Sequence, residues 1–156
     1  MQAPRQAAVP ANLERRARII DAVRRFFIRS GFLEIETPVR IPAPAPETHI
    51  DAQESGAWFL QTSPELCMKR MLAAGYDRIF QICRCFRKAE RGSRHLPEMP
   101  LLEWYAAGWD YLDLMRQCED LVGYLADHLE MGRLLTYREN RVDLTPPWDR
   151  LSVDEA

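Results

Sequence analysis

The chain has 156 residues, 21 of them basic and 23 acidic, for a formal net charge of −2, and 47% are hydrophobic. This excludes a disordered or fibrous chain, argues against a general nucleic-acid binder, which is usually basic, and leaves no apolar run near the ~18–20 residues that a membrane span needs. Its length suits one domain of about 100–200 residues. Met1 to Ala11 lacks the apolar core of a signal peptide, so a soluble cytoplasmic protein is expected.

Only Lys69 and Lys88 are lysines; the other basic residues are arginines. Genome base composition is the simpler explanation, although arginine is also the preferred planar ligand for phosphate and carboxylate. Cys67, Cys83, Cys85 and Cys118 show no zinc-ribbon spacing and no C-x-x-C pair. They read as small buried hydrophobes rather than a metal site.

The first segment is a helix, capped by Asn12 and ended by Gly31. Leu13, Ala17, Ile20, Val23 and Phe27 form its apolar stripe. A short strand follows over residues 32–37, with Leu33 and Ile35 alternating with Glu34 and Glu36 until Pro38 stops it. Pro42, Pro44 and Pro46 then favour an extended connection, and the chain to about Gly56 reads as loop. Residues 58–62 read as a strand. Ser63, Pro64 and Glu65 open a helix, as N-cap, first helical residue and acidic first turn, and capping alone accounts for all three. That helix runs to about Ala74, and Gly75 closes it.

Residues 78–88 form a long strand, with Phe80, Ile82 and Phe86 on one face and Gln81, Cys83, Cys85 and Arg87 on the other. A second strand spans about 100–108, with Leu101, Glu103 and Tyr105 sharing a face. The charged connection between them holds Glu90, Arg91, Arg94, His95 and Glu98. It is far longer than the usual 2–5-residue hairpin loop, which marks it as functional or mobile. If the strands pair, Gln81, Arg87, Glu103 and Tyr105 gather on one polar face. That face is either a ligand site or a plain solvated face with a cross-strand ion pair. A long helix follows from Asp110 to about Met131, and then two short strands around a Glu139-Asn140 turn. Ser152-Val153-Asp154-Glu155 fits a capping box with no helix after it, so the chain is expected to be cut short.

These segments resemble a known family. The first helix and Gly31-Phe32-Leu33-Glu34-Ile35-Glu36-Thr37-Pro38 look like motif 1 of the class II aminoacyl-tRNA synthetases. Phe86-Arg87 through Arg94-His95, with Leu102-Glu103-Trp104-Tyr105, look like motif 2. Thr62-Ser63-Pro64-Glu65-Leu66-Cys67-Met68-Lys69-Arg70 is similar to the substrate-binding segment of the lysine branch. The likeness covers about residues 10–130. That branch contains lysyl-tRNA synthetases and shortened paralogues that attach (R)-beta-lysine to elongation factor P. The wording of Ile79-Phe80-Gln81-Ile82-Cys83-Arg84 and Leu102-Glu103-Trp104-Tyr105 is nearer the paralogues.

The resemblance implies an α+β fold, a synthetase-like antiparallel sheet flanked by helices, with motifs 1 and 2 but no glycine-rich motif 3. Residues 1–156 would be the N-terminal part of one catalytic domain, without an anticodon-binding domain and inactive alone. It also implies ATP and Mg2+, and formation of an aminoacyl-adenylate from lysine or (R)-beta-lysine. Arg87 would be catalytic and hold the α-phosphate. Lys88, Ala89, His95, Leu96 and Met99 would join Arg87 in binding ATP, and Ser63, Pro64, Glu65, Glu103 and Tyr105 would bind the amino acid. Elongation factor P would be the acceptor in preference to tRNA, and motif 1 would form a homodimer. Two positions depart from the family: Ala89 stands in place of a glutamate, with Glu90 next to it, and Met99 stands in place of an adenine-stacking phenylalanine. A tRNA-charging enzyme, or a non-catalytic dimerisation module, are the alternatives.

Overall fold

The structure is a computed structural model and describes residues 10–155. Most of the Met1–Ala11 segment read above lies outside the described residues. The chain divides into two units, Gly31–Gly108 and the combination of Met1–Ser30 with Trp109–Ala156. Both units contain helices and sheets without regular alternation, as expected of an α+β protein.

In Gly31–Gly108 the central element is the hairpin of β5 (Arg78–Phe86) and β6 (Glu98–Ala106). It is paired without a break from Arg78↔Ala106 to Phe86↔Glu98. Period-2 alternation along both strands produces this register, because each directly opposed pair shares a face. β1 (Leu33–Glu34) adds to the other edge of β5 in parallel. The sheet, in the order β1-β5-β6, is therefore mixed rather than antiparallel throughout. A parallel neighbour needs a long crossover, and residues 35–77 supply it.

β1 is shorter than the six residues read from the sequence. Beyond Glu34 the ladder reduces to one bond from Ile35 N to Phe80 O at 2.9 Å. The stretch to Gly56 also differs from a plain loop. β2 (Arg40–Ile41), β3 (Glu54–Ser55) and β4 (Trp58–Leu60) form a second, antiparallel sheet in the order β2-β4-β3. The Arg40 guanidinium ties it together: Nε and Nη2 donate to Ser55 O at 3.2 and 3.0 Å, and the group lies 5.4 Å over the Trp58 ring. α2 (Glu65–Ala73) follows, with Pro64 as its N-cap rather than its first helical residue, and Gly75 leaves it at φ +94°. Phe32, Met68, Ile79, Phe80 and Cys85 are buried in this unit.

In the other unit, α1 (Pro10–Arg29) and α3 (Tyr111–His128) pack together. α1 begins two residues before Asn12, which is therefore helical and not a cap. Of its predicted stripe Val23 and Phe27 are buried, whereas Leu13 is 54% exposed. α3 starts as its sequence announces. Asp110 accepts from Leu112 N and Asp113 N at 2.8 and 3.0 Å, and Asp113 accepts from Asp110 N at 3.1 Å. It ends at His128, short of Met131, as Glu130 and Gly132 take left-handed backbone. β7 (Leu134–Tyr137) and β8 (Asn140–Asp143) pair around Arg138-Glu139, one residue earlier than expected, with Arg138 at φ +56°. At Ser152 half of the predicted capping box forms: Glu155 accepts from both Ser152 N and Oγ at 2.8 Å.

Candidate active site

The site lies on the polar face of the β5–β6 hairpin, within Gly31–Gly108. Gln81 opposes Glu103 and Ile79 opposes Tyr105, so strand register alone sets Glu103 and Tyr105 on one face, two residues apart. Ser63 arrives from the turn between β4 and α2. Its Oγ donates to Glu103 Oε2 at 2.7 Å and accepts from Glu65 N at 3.1 Å. Tyr105 Oη donates to Glu103 Oε1 at 2.6 Å. Each carboxylate oxygen therefore has one hydroxyl holding it, and each retains lone-pair capacity for a further donor. Burial, then the bond to Glu103, push the Tyr105 phenol above its ordinary range, so it stays protonated and keeps donating.

Arg87 leaves the end of β5, where its N–H bonds Pro97 O at 3.0 Å. Its side chain is 24% exposed, and its Nη1 lies 3.8 Å from Glu90 Oε1. Its Nε is buried with no hydrogen-bond partner. An unpaired buried donor costs about 1–3 kcal/mol, or more where charge is involved. Arg87 pairs within its own loop and makes no cross-strand ion pair with Glu103 among the described residues.

Beneath these groups lie buried polar residues. Gln61, Thr62 and Gln81 are at most 3% exposed. Gln61 Nε2 donates to Arg84 O at 2.9 Å, and Gln81 Nε2 donates to Thr37 Oγ1 at 3.1 Å. The acceptor oxygens of both amides, and Thr62 Oγ1, have no partner. Gln61 was not singled out from the sequence, and Thr62 only as the first residue of the segment similar to the lysine branch. Their shared signal there is position: two polar residues closing an apolar strand immediately before Ser63. Cys83 Sγ lies 3.7 Å from Cys85 Sγ. The bond to Cys85 holds the Cys83 thiol below its usual range, while Cys85 is pushed up by the same contact and by burial.

The remaining expected residues are more dispersed. Pro64 is fully buried and accepts from Met68 N at 2.9 Å, a packing role at the helix start. Glu65 pairs with Lys69. Lys88 turns to Glu54 of β3 at 3.6 Å, and its N–H bonds Asp51 O at 2.8 Å. Ala89 takes left-handed backbone at φ +62°, so the chain reverses there and returns Glu90 to Arg87. His95 and Leu96 are exposed on the loop, where His95 O accepts from Gly92 N at 3.3 Å. Met99 opposes Cys85 on the site face and is half-buried. For magnesium, no group of three His, Cys, Asp or Glu side chains that could hold an ion occurs among the described residues. The face thus carries a carboxylate held by two hydroxyls and a guanidinium. No helix among the described residues is long and apolar enough to cross a membrane.

Known proteins match the whole chain. The family model described as class II tRNA synthetases of the D, K and N type covers residues 1–156. A lysine–tRNA ligase of Variovorax paradoxus is 40% identical over 147 residues, 90% of this chain and 28% of that protein. An elongation factor P–(R)-beta-lysine ligase of Pectobacterium carotovorum is 40% identical over 96% of this chain and 49% of its own length. A Pasteurella multocida protein of the same name is 43% identical over 74% of this chain. The chain spans about half the length, or less, of these curated relatives. With the motif 1 and motif 2 segments in place on the fold and lysine-specific ligases among its relatives, the chain belongs to the class II aminoacyl-tRNA synthetase family.

Proposed function

We propose that this chain is part of an ATP-dependent ligase that activates lysine or (R)-beta-lysine and transfers it to a lysine side chain of elongation factor P. The observation that carries this reading is the Glu103 carboxylate, held at one oxygen by Ser63 and at the other by Tyr105. It sits on the same face as a guanidinium with an unused buried N–H. An amino acid with two ammonium groups presents one of them to the first group, and ATP presents a phosphate to the second.

In the first step a carboxylate oxygen of the amino acid attacks the α-phosphorus of ATP. The bond to the bridging oxygen breaks and pyrophosphate leaves. Arg87 is the catalytic residue: it stabilises the charge that accumulates on the α-phosphate oxygens. Lys88, Ala89, His95, Leu96 and Met99 complete the nucleotide's surroundings. Ser63, Pro64, Glu65, Glu103 and Tyr105 bind the amino acid. In the second step the acceptor amine attacks the acyl carbonyl and AMP leaves. Within this reading the protein is cytoplasmic and dimerises through the α1–β1 segment.

The test supplies the full-length protein with ATP, (R)-beta-lysine and purified elongation factor P. The expected result is a mass increase of the factor with release of pyrophosphate. Efficient charging of tRNA with the factor left unmodified would instead establish the second reading, a lysyl-tRNA synthetase. That reading is favoured by the 40% identity to the Variovorax protein.

A further inference from the structure

Two thiols on β5 have no part in the ligase chemistry. Cys83 Sγ and Cys85 Sγ lie 3.7 Å apart on one face of the strand. Cys85 is fully buried and Cys83 half-buried, so the pair meets solvent at Cys83. Across the hairpin Cys85 opposes Met99 and Cys83 opposes Leu101. Opposed residues share a face with Cβ atoms about 4.5–5.5 Å apart, and the flexible, unbranched Met99 side chain can bring its thioether to the pair. Spacing along the sequence reads these cysteines as small hydrophobes. The fold gathers three sulfur-bearing side chains on one face, with an apolar neighbour in Leu101.

A disulfide suits this pair poorly. Residues two apart on a strand have Cα atoms about 6.4–6.8 Å apart, at the outer limit for a bridged pair. A single ion suits it better. With metal–thiolate bonds of about 2.3 Å, sulfurs 3.7 Å apart subtend roughly 107° at the ion, which is the angle of three- or four-coordination and not of a linear pair. Zinc takes its ligands from cysteine, histidine and carboxylates, and no three such side chains gather among the described residues. Iron–sulfur clusters take four cysteines. Two thiolates with a thioether are left as a soft set that selects Cu(I). The contact with Cys85 also holds the Cys83 thiol below its usual range, so the ligand on the solvent side ionises first.

We propose that Cys83, Cys85 and Met99 form a Cu(I) site, with two thiolates and one thioether around the ion. Binding releases the two thiol protons to solvent and leaves the copper as Cu(I), so no oxidant or reductant takes part. The site uses neither ATP nor an amino acid, and its test stands apart from the ligase reading.

The test titrates the full chain, reduced and under nitrogen, with Cu(I) in the presence of the coloured chelator bathocuproine disulfonate. One Cu(I) per chain should be withdrawn from the chelator, and X-ray absorption at the copper edge should show three sulfur neighbours. Cys83→Ser and Cys85→Ser should each abolish the withdrawal. Met99→Leu, which conserves volume, should leave two sulfur neighbours and weaken binding about tenfold. Cys67→Ser combined with Cys118→Ser should bind as the parent chain does, which separates this site from adventitious capture by thiols. Cys85→Ser alters a buried position, so melting curves without copper check its fold, and Cys83→Ser carries the test if that variant unfolds. No copper withdrawn, withdrawal unchanged in Cys83→Ser, binding lost in the Cys67 and Cys118 variant, only two sulfur neighbours in the parent chain, or Met99→Leu equal to the parent overturns the proposal.

Discussion

Arg87 carries the most chemical consequence of any single side chain on the hairpin face. Its Nε is desolvated without a partner, and its ion-pair partner Glu90 is 3.8 Å away. Removing such a charge-stabilising donor should lower ATP–pyrophosphate exchange in the full-length ligase by about 100-fold or more, roughly 3 kcal/mol in the transition state. An unchanged rate for Arg87→Ala would remove it from the mechanism. Tyr105 makes a different prediction. Its phenol is favoured in the neutral form by the fold, so this contribution to stability is complete below the ordinary phenol pKa of 10.0 and is lost as pH rises through the higher folded value. An ultraviolet titration should therefore show one of the five tyrosines ionising late. Tyr105→Phe should abolish that late step and nothing else.

At the level of elements, α3 depends on its first turn. Asp110 and Asp113 satisfy each other's backbone donors reciprocally, and losing the cap by Asp110→Ala should cost about 0.5–2 kcal/mol, read as a lower melting temperature. The bond from Asp110 N, and then Arg116, hold the Asp113 carboxyl below its ordinary 3.8. That stabilisation is present above pH 3.8 and fades as acid titrates the folded group. This helix was legible in the sequence because its start signal and its apolar period are both local. The hairpin was legible for the same reason: nine residues of alternation on each strand specify which side chains share a face. β2 and β3 were not, since two-residue strands exist only because Arg40 and β4 reach them across a loop. Within the site, Glu103 and Tyr105 could be placed on one face from alternation, and Ser63 from its segment's resemblance to the lysine branch; its expected cap position passes to Pro64. Gln61 and Thr62 could not, because their burial depends on β5, where Phe86 N bonds Gln61 O at 2.9 Å.

For the whole molecule, stability is distributed unevenly. The β5–β6 ladder is continuous over nine pairs, whereas residues 91–97 of the connecting segment are exposed. Amide exchange should be slowest along the hairpin and fast in that segment. ATP with lysine should slow the segment in the full-length ligase, and unaltered exchange there would separate it from the nucleotide site. The net charge of −2 also predicts how transfer responds to salt. Binding to a nucleic acid loses about 10³–10⁵ in affinity between 50 and 200 mM salt when many phosphates are contacted. Modification of a protein acceptor should change by far less over that range.

Ser63 does two things with one hydroxyl: it accepts from the first amide of α2 and donates to the Glu103 carboxylate. Hydrogen bonds in such a chain polarise one another. A cation arriving at Glu103 therefore changes how firmly α2 is fastened at its start. By thermodynamic reciprocity, whatever fastens α2 must alter affinity for the cation by the same factor. The helix is thus a gauge of occupancy as well as a support, and a spectroscopic probe on its outer face would register a cation at Glu103 without touching that carboxylate.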